Sequence, residues 1–397
     1  MYFSYVPKYG DLDYLVEKYI NNGIRDYTFN FFFDVKNGIY NKDQNINQDT
    51  KLEHATEFIS AVTNVVQYIK NRLSSVIDVE RRIRFFFFCE TGKSSYHKGI
   101  DFSYKANRGI NDYLLRTESD ELFSEVIFFS IYVLRDIINM IPNCYFFLGE
   151  YREYDYIPYV VYKRMFTEKD IGIVFSTDKD MYQLGTYADC FEQLEKQTYQ
   201  SEWLPARAYI NTHNYIERIL GKDATPEMLR LGRSFMHKHF SLVRAIIGDT
   251  GDGIDGIKGL HYKTLLGLVE KFKLDELVLP RDVYNETITK MDFFKFEYAY
   301  ENSIFDLEKV KLLEKERKQS KKLDSLLTKE GIKTICKNIA LMDFEVMYNR
   351  RLSNDKEEID KILNNETKFK SQQEADDFIK ATGLWNEHSY FKISIKI

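Results

Sequence analysis

Short apolar runs and amphipathic stretches alternate through the first two-thirds of the chain. Phe29–Phe33, Ile83–Phe88, Tyr145–Leu148 and Ile171–Phe175 are continuous apolar or aromatic runs, the pattern of strands buried on both faces. Between them, Thr50–Ser75 carries Phe58, Val62, Val65, Val66 and Ile69 at helical spacing. Ser119–Ile141 reads as a long apolar-faced helix stopped by Pro142-Asn143, and Ile157–Met165 as a shorter one. This alternation predicts an α/β fold with a largely parallel central sheet and helices on both faces. Residues 185–225 are less readable. Thr225-Pro226 then starts a helix, with Thr as N-cap and Pro at the first helical position. It runs toward Ile247. A glycine-rich turn, Gly248–Gly259, leads to another helix from about His261 to Phe272, and the rest of the chain reads as charged helix.

Acidic residues recur where the strands end. Asp34 follows the first run and Glu90 the second. Glu153 and Asp155 lie just past the third, Asp178 and Asp180 just past the fourth. One Asp after a strand is usually a turn residue or a helix cap. Four strand ends delivering six carboxylates to one rim is not what turns alone predict. Such a rim repels itself unless divalent cations are bound, and Mg²⁺ is suited to oxygen ligands.

Composition narrows the classes. Of 397 residues, 44% are hydrophobic, enough for a large core. No apolar run approaches the roughly 20 residues of a membrane span, and no signal-peptide pattern opens the chain. Cys89, Cys144, Cys190 and Cys336 are dispersed, which predicts reduced core thiols and a cytoplasmic setting. The net charge of −5 argues against a nucleic-acid partner until the acidic cluster is set aside. His237 and His239 point to different sides of a helix and predict no metal site.

Two longer segments resemble the 5′-nuclease family, which includes flap endonucleases and bacteriophage 5′-3′ exonucleases. Ser176–Leu184 (STDKDMYQL) resembles the family's STDKDxxQL, and Ile247–Gly259 (IGDTGDGIDGIKG) its GDxxDNIPGVxGIG stretch. Upstream, Asp34–Tyr40 is similar to DGxNLxY, Glu90–Ser94 to the D-x-G-K-S of phage members, Tyr104–Arg108 matches YKANR, and Glu153–Asp155 is similar to E-A-D. The resemblance spans about Phe29 to Phe272 and implies a PIN-like catalytic core with a helix-three-turn-helix subdomain. The expected division is a core over 1–225, with a helical arch near 91–118, a DNA-binding region over 226–290 and a helical C-terminal region over 291–397.

The resemblance implies metal ligands at Asp34, Glu90, Glu153, Asp155, Asp178, Asp180, Asp249 and Asp252 for two Mg²⁺ or Mn²⁺ ions. Removing eight negative charges from −5 leaves +3 for the rest of the chain. Lys93, Lys105 and Arg108 would meet the scissile phosphate, the last two from one helix face. Tyr104, Gly256, Lys258, Gly259 and Lys263 would contact DNA, and the turn would hold K⁺. The implied activity is cleavage of DNA, or of an RNA primer in a hybrid, near a 5′ end, flap or branch, by a monomer working with replication proteins. For a phage protein the setting would be the host cytoplasm. Three departures stand out. Glu90 replaces the usual Asp, Tyr156 replaces a second Asp after E-A-D, and His97 stands where phage members tend to have Arg. Two other readings are a catalytically weakened binder of branched DNA, motivated by Glu90 and Tyr156, and a PIN-type ribonuclease. The Gly248–Gly259 turn argues against the latter.

Overall fold

The protein is represented by a computed structural model that describes residues 2–3, 12–13, 15–21, 27–40, 47–91, 94–106, 118–176, 178–187, 191–196, 203–207, 225–293, 303–382 and 384. Its centre is a six-stranded sheet built from β1 (Thr28–Asp34), β2 (Ile83–Thr91), β3 (Cys144–Glu150), β4 (Asp170–Phe175), β5 (Phe191–Lys196) and β6 (Trp203–Arg207). The order is β3-β2-β1-β4-β5-β6. The first five strands pair in parallel, and β6 closes one edge antiparallel to β5. The four expected strands form the middle and one edge of the sheet. β5 and β6 come from the stretch that carried no clear pattern.

Register explains why the phenylalanine runs suit this sheet. Phe31 pairs with Phe85 and Phe33 with Phe87, and one step across Phe87 pairs with Phe146. Phe31, Phe33, Phe85, Phe87, Phe146 and Phe175 therefore share one face, with Phe33 stacked on Phe175 at 4.5 Å and on Phe87 at 5.0 Å. Phe32, Phe86 and Tyr145 stack on the other at 4.9 and 5.0 Å. Each offset stack adds about 0.5–1.5 kcal/mol beyond its area.

Helices cover both faces. α1 (Lys51–Leu73) and α2 (Glu118–Met140) pack on the face of Phe31 and Phe33. α3 (Ile157–Met165) lies on the opposite face, shared with a later helix, α7 (Phe344–Leu363). A third, helical core joins α4 (Pro226–Ile247), α5 (Tyr262–Phe272) and α6 (Lys329–Met342). Thr225 caps α4 by accepting from the Met228 amide, with Pro226 at its first turn. α4 kinks at His239, whose buried ring bonds Asp275 at 3.0 Å.

Between α4 and α5 the glycine-rich turn folds on itself. Gly248-Asp249 pairs antiparallel with Ile254-Asp255, and the Ile257 amide donates to Ile246 O at 2.8 Å. A Cβ at Gly256 would sit 2.1 Å from Ile247 O, so only glycine lets the turn close against the helix end. Gly248 adopts φ +82°. Among the described residues, no helix is long and apolar enough to cross a membrane.

Candidate metal centre

In a parallel sheet the carboxyl ends of the strands share one rim, and ligands bind beyond it. Asp34 is the last residue of β1, and Glu90 the penultimate residue of β2. Glu153 and Asp155 follow β3, and Asp178 and Asp180 follow β4. These six, with Asp252 from the glycine-rich turn, line one cavity of about 210 Å³. Lys36, Tyr104 and Lys105 share it, and Leu341, Met342, Phe344 and Met347 wall it from the C-terminal helices.

Carboxylate oxygens of Glu90, Glu153 and Asp155 lie within 4.8 Å of one another. Burial, then the charges of Glu90, Asp34, Asp178 and Glu153, push the Asp155 carboxyl well above its ordinary range. Burial, then Asp180, pushes Asp178 up to about 7. Glu153 behaves oppositely. Burial would raise it, but His97 and Lys105 and the Tyr104 hydroxyl overcome that and hold it at about 2. Glu90 Oε1 pairs with Lys36 Nζ at 2.7 Å, while its buried Oε2 has no hydrogen-bond partner among the described residues. A buried carboxylate oxygen without a donor, beside carboxyls raised by mutual repulsion, is a donor set that fits a divalent cation.

Asp249, expected among the ligands, lies beside the cavity rather than in its lining. It is fastened by Arg244 and by Lys179 at 2.9 Å. Burial would raise its carboxyl, but Arg244 and Lys179 hold it at about 2. Arg244 is 3% exposed and also reaches Asp180 Oδ1 at 2.8 Å, bridging the two acidic segments. The sequence offered no mark for Arg244, one of four Lys and Arg residues on an apolar-faced helix. Lys36 was likewise hidden inside a motif read for its Asp.

The cationic side of the site departs from expectation. Lys105 does not sit on a helix face. It occupies a turn at φ +50°, with its amide donating to Asp252 O at 2.7 Å and its ammonium paired to Glu153. Those two ties hold a backbone conformation that a helix would not provide. Tyr104, expected against DNA, is 4% exposed. Its hydroxyl donates to Glu153 at 2.7 Å, and its ring stacks on His97 at 4.5 Å. His97 is fully buried, with its ring nitrogens at Ser94 Oγ and Leu341 O, 2.7 and 3.0 Å away. Burial lowers its pKa, against the opposing pull of the Glu153 carboxylate. Lys93 and Arg108 lie outside the described residues. Lys258 and Lys263 are exposed on the turn and on the first turn of α5, beside Gly259 at φ +79°. Cys89, Cys144 and Cys336 are buried thiols, and Cys190 lies outside the described residues.

Tyr156 is turned away from the carboxylates. Residues 153–156 alternate sides, so Glu153 and Asp155 meet the cavity while Tyr154 and Tyr156, each 1% exposed, enter the core. Glu374-Ala375-Asp376-Asp377, which imitates the acidic pattern by letter, lies in the helix Gln372–Ala381, and none of the four is in the cavity lining.

Neither a family model nor a curated protein matches the sequence. Solved structures do. The D15 flap endonuclease of bacteriophage T5, in a pseudo-enzyme-product complex with DNA and metal ions, aligns with a TM-score of 0.50 at 16% identity, over 90% of this chain and 98% of that one. The T5 D15 protein co-crystallised with metal ions aligns at 0.48 and 16%, over 90% and 100%. The T5 5′-exonuclease with bound zinc aligns at 0.47 and 16%, over 89% and 97%. The first of these shows that the chain shares the fold of the D15 flap endonuclease.

Proposed function

We propose that the protein is a metal-dependent 5′-nuclease that hydrolyses DNA phosphodiester bonds near a 5′ end, flap or branch. The observation that carries this reading is the convergence of seven carboxylates and Lys105 on one cavity at the strand ends of this fold. Asp34, Glu90, Glu153 and Asp155 would form one ligand set, and Asp178, Asp180 and Asp252 the core of a second, with Asp249 beside it. Divalent cations held there, Mg²⁺ or Mn²⁺, would lower the pKa of an attacking water and offset charge on the phosphoryl oxygens.

The protein's own groups then have separable roles. The Lys105 ammonium is poised at the cavity to meet phosphate charge as it develops. Arg244 keeps Asp180 and Asp249 in fixed relation. Lys258 and Lys263, beside the N-terminus of α5, would grip the duplex backbone without reading sequence. Leu341, Met342, Phe344 and Met347 exclude water from one side of the reacting centre. In this reading, residues 1–225 supply catalysis, 226–290 the DNA clamp and 291–397 part of the cavity wall. The products would be 5′-phosphate and 3′-hydroxyl ends.

The test is cleavage of a 5′-labelled flap duplex with Mg²⁺ or Mn²⁺, beside Asp178→Ala and an EDTA control. Cutting near the branch that needs the metal and disappears in the variant is the expected result. No cutting by the unaltered chain, with branched DNA still bound, would instead make it a binding protein. Cutting confined to RNA would make it a ribonuclease.

A further inference from the structure

The loop that carries Glu153 and Asp155 is held from behind by residues nearly two hundred positions further on. The Tyr156 hydroxyl donates to Asp355 Oδ2. Asp355 also pairs with Arg351 Nε at 2.8 Å and lies 3.2 Å from Arg152 Nη1. Arg351 Nη1 donates to the backbone carbonyl of Glu153 at 3.2 Å. Its guanidinium lies 5.4 Å from the centre of the Tyr96 ring and 5.5 Å from that of Tyr156. Arg351 and Asp355 are four apart on α7 and so share a face; they are 4% and 1% exposed.

Burying an ion pair costs several kcal/mol per ion, and well-packed apolar residues in its place are often as stable or more so. Stability alone therefore gives no reason for this pair. Geometry does. Glu153 and Asp155 line the cavity with Asp34, Glu90 and Asp178, so their loop has to be held in place for like-charged side chains to converge there. The network ties that loop at two points, the Glu153 carbonyl and the Tyr156 hydroxyl. Both points lie within one residue of Asp155 or of Glu153 itself. Phe344 and Met347 of the same helix line the cavity, so α7 is seated against the site it braces.

We infer that Arg351 and Asp355 are positioning residues, which hold the Glu153–Asp155 loop in the register that binds a divalent cation. The inference rests on the nuclease reading for the reaction but not for the cation. In metal sites, partners behind the ligands alter affinity by about 10–100-fold when removed. The experiment measures Mn²⁺ binding by electron paramagnetic resonance on the full chain and on Tyr156→Phe, Arg351→Met and Arg351→Lys, with melting curves and flap-cleavage kinetics alongside. Tyr156→Phe and Arg351→Met should bind Mn²⁺ about 10-fold or more weakly. At fixed Mn²⁺ their kcat should fall while KM for DNA stays. Arg351→Lys, which keeps the charge but loses the fork, should fall between. Variants that melt lower yet bind Mn²⁺ with unaltered affinity would overturn the inference and leave the network merely structural. Should Arg351→Met not fold, Tyr156→Phe, which keeps the ring, decides alone. If the unaltered chain binds Mn²⁺ but cuts no DNA, the nuclease reading fails and the inference still stands or falls on the affinities. If it binds no Mn²⁺, both fail.

Discussion

Replacing Arg244 with Met probes the site's electrostatics where burial is deepest. Met keeps much of the side-chain length, so the change is chiefly one of charge. The guanidinium is 3% exposed and spans Asp180 and Asp249. Without it, the Asp249 side chain, 8% exposed, keeps the Gly251 amide and Lys179, whose side chain is 43% exposed and screened by solvent. Burial opposes the Asp249 charge, and Arg244 is the foremost of the groups that overcome it, leaving the carboxyl at about 2 against an ordinary 3.8. That gap of about 2 pH units corresponds to about 2–3 kcal/mol. Removing one partner of a buried pair costs about 3–5 kcal/mol. The variant should therefore lose about 2–4 kcal/mol, with Lys179 softening the upper figure. The assay is urea unfolding in EDTA near pH 7, with the loss read from the shift in midpoint at constant slope. The sign with pH is set by the direction of the shift. A lowered carboxyl stabilises above its unfolded value and loses that contribution as pH falls toward about 2. The gap between the two proteins should hold from about pH 5 to 8 and close in acid. A loss below about 1 kcal/mol near pH 7, or a gap that widens in acid, would refute the reasoning.

Four further outcomes are expected. Asp178 and Asp155 are raised carboxyls, so without metal the folded protein should lose stability as pH rises from about 4 through 7, and Mn²⁺ should reverse the loss. Melting temperatures at about pH 6 and 8, with and without Mn²⁺, check this. Lys105→Met should lower the single-turnover cleavage rate by about 100-fold, with DNA affinity much less affected. Gly256→Ala should destabilise by about 1–3 kcal/mol, because its Cβ would meet Ile247 O. Gly267→Ala, on an exposed helix position with nothing within 4 Å, should stabilise by about 0.5–1 kcal/mol in the same unfolding assay.

The readable parts of the fold were those whose signal is local. β1 to β4 announce themselves because strands buried on both faces must be apolar throughout, and α4 because Thr225-Pro226 marks its start. β5 and β6 do not. FEQLEK mixes charges with apolar residues, and WLPAR contains Pro205, which argues against a strand in a sheet interior. As the edge strand, β6 tolerates a proline that β1 could not. The same rule governs the site. Carboxylates at strand ends were legible because sheet topology places strand ends together. Arg244 was not, because Asp249 lies beyond the helix end at no helical spacing and Asp180 lies far upstream. The wall from Leu341 to Met347 was not, because the cavity it closes is built from residues distant in sequence.

The two acidic-pattern departures show how side-chain direction decides what a substitution means. Glu90 stands on the cavity side of β2, and its extra methylene is accommodated there, with one oxygen on Lys36 and the other turned to the site. The ligand type is kept and only its reach changes. Tyr156 stands on the opposite side of its loop from Glu153 and Asp155. An Asp there would need the backbone to turn over before it could reach the cavity. In its present place the shorter Asp would leave a buried carboxylate facing Asp355 across the space the Tyr ring fills, two like charges with no donor between them. A Tyr hydroxyl donates to Asp355 instead, and its ring fills the core between Tyr154 and Arg351. Tyr156→Asp should therefore not restore a lost ligand. It should loosen the loop and weaken Mn²⁺ binding, measured against the unaltered chain. Tighter binding in that variant would show that position 156 does reach the metal centre.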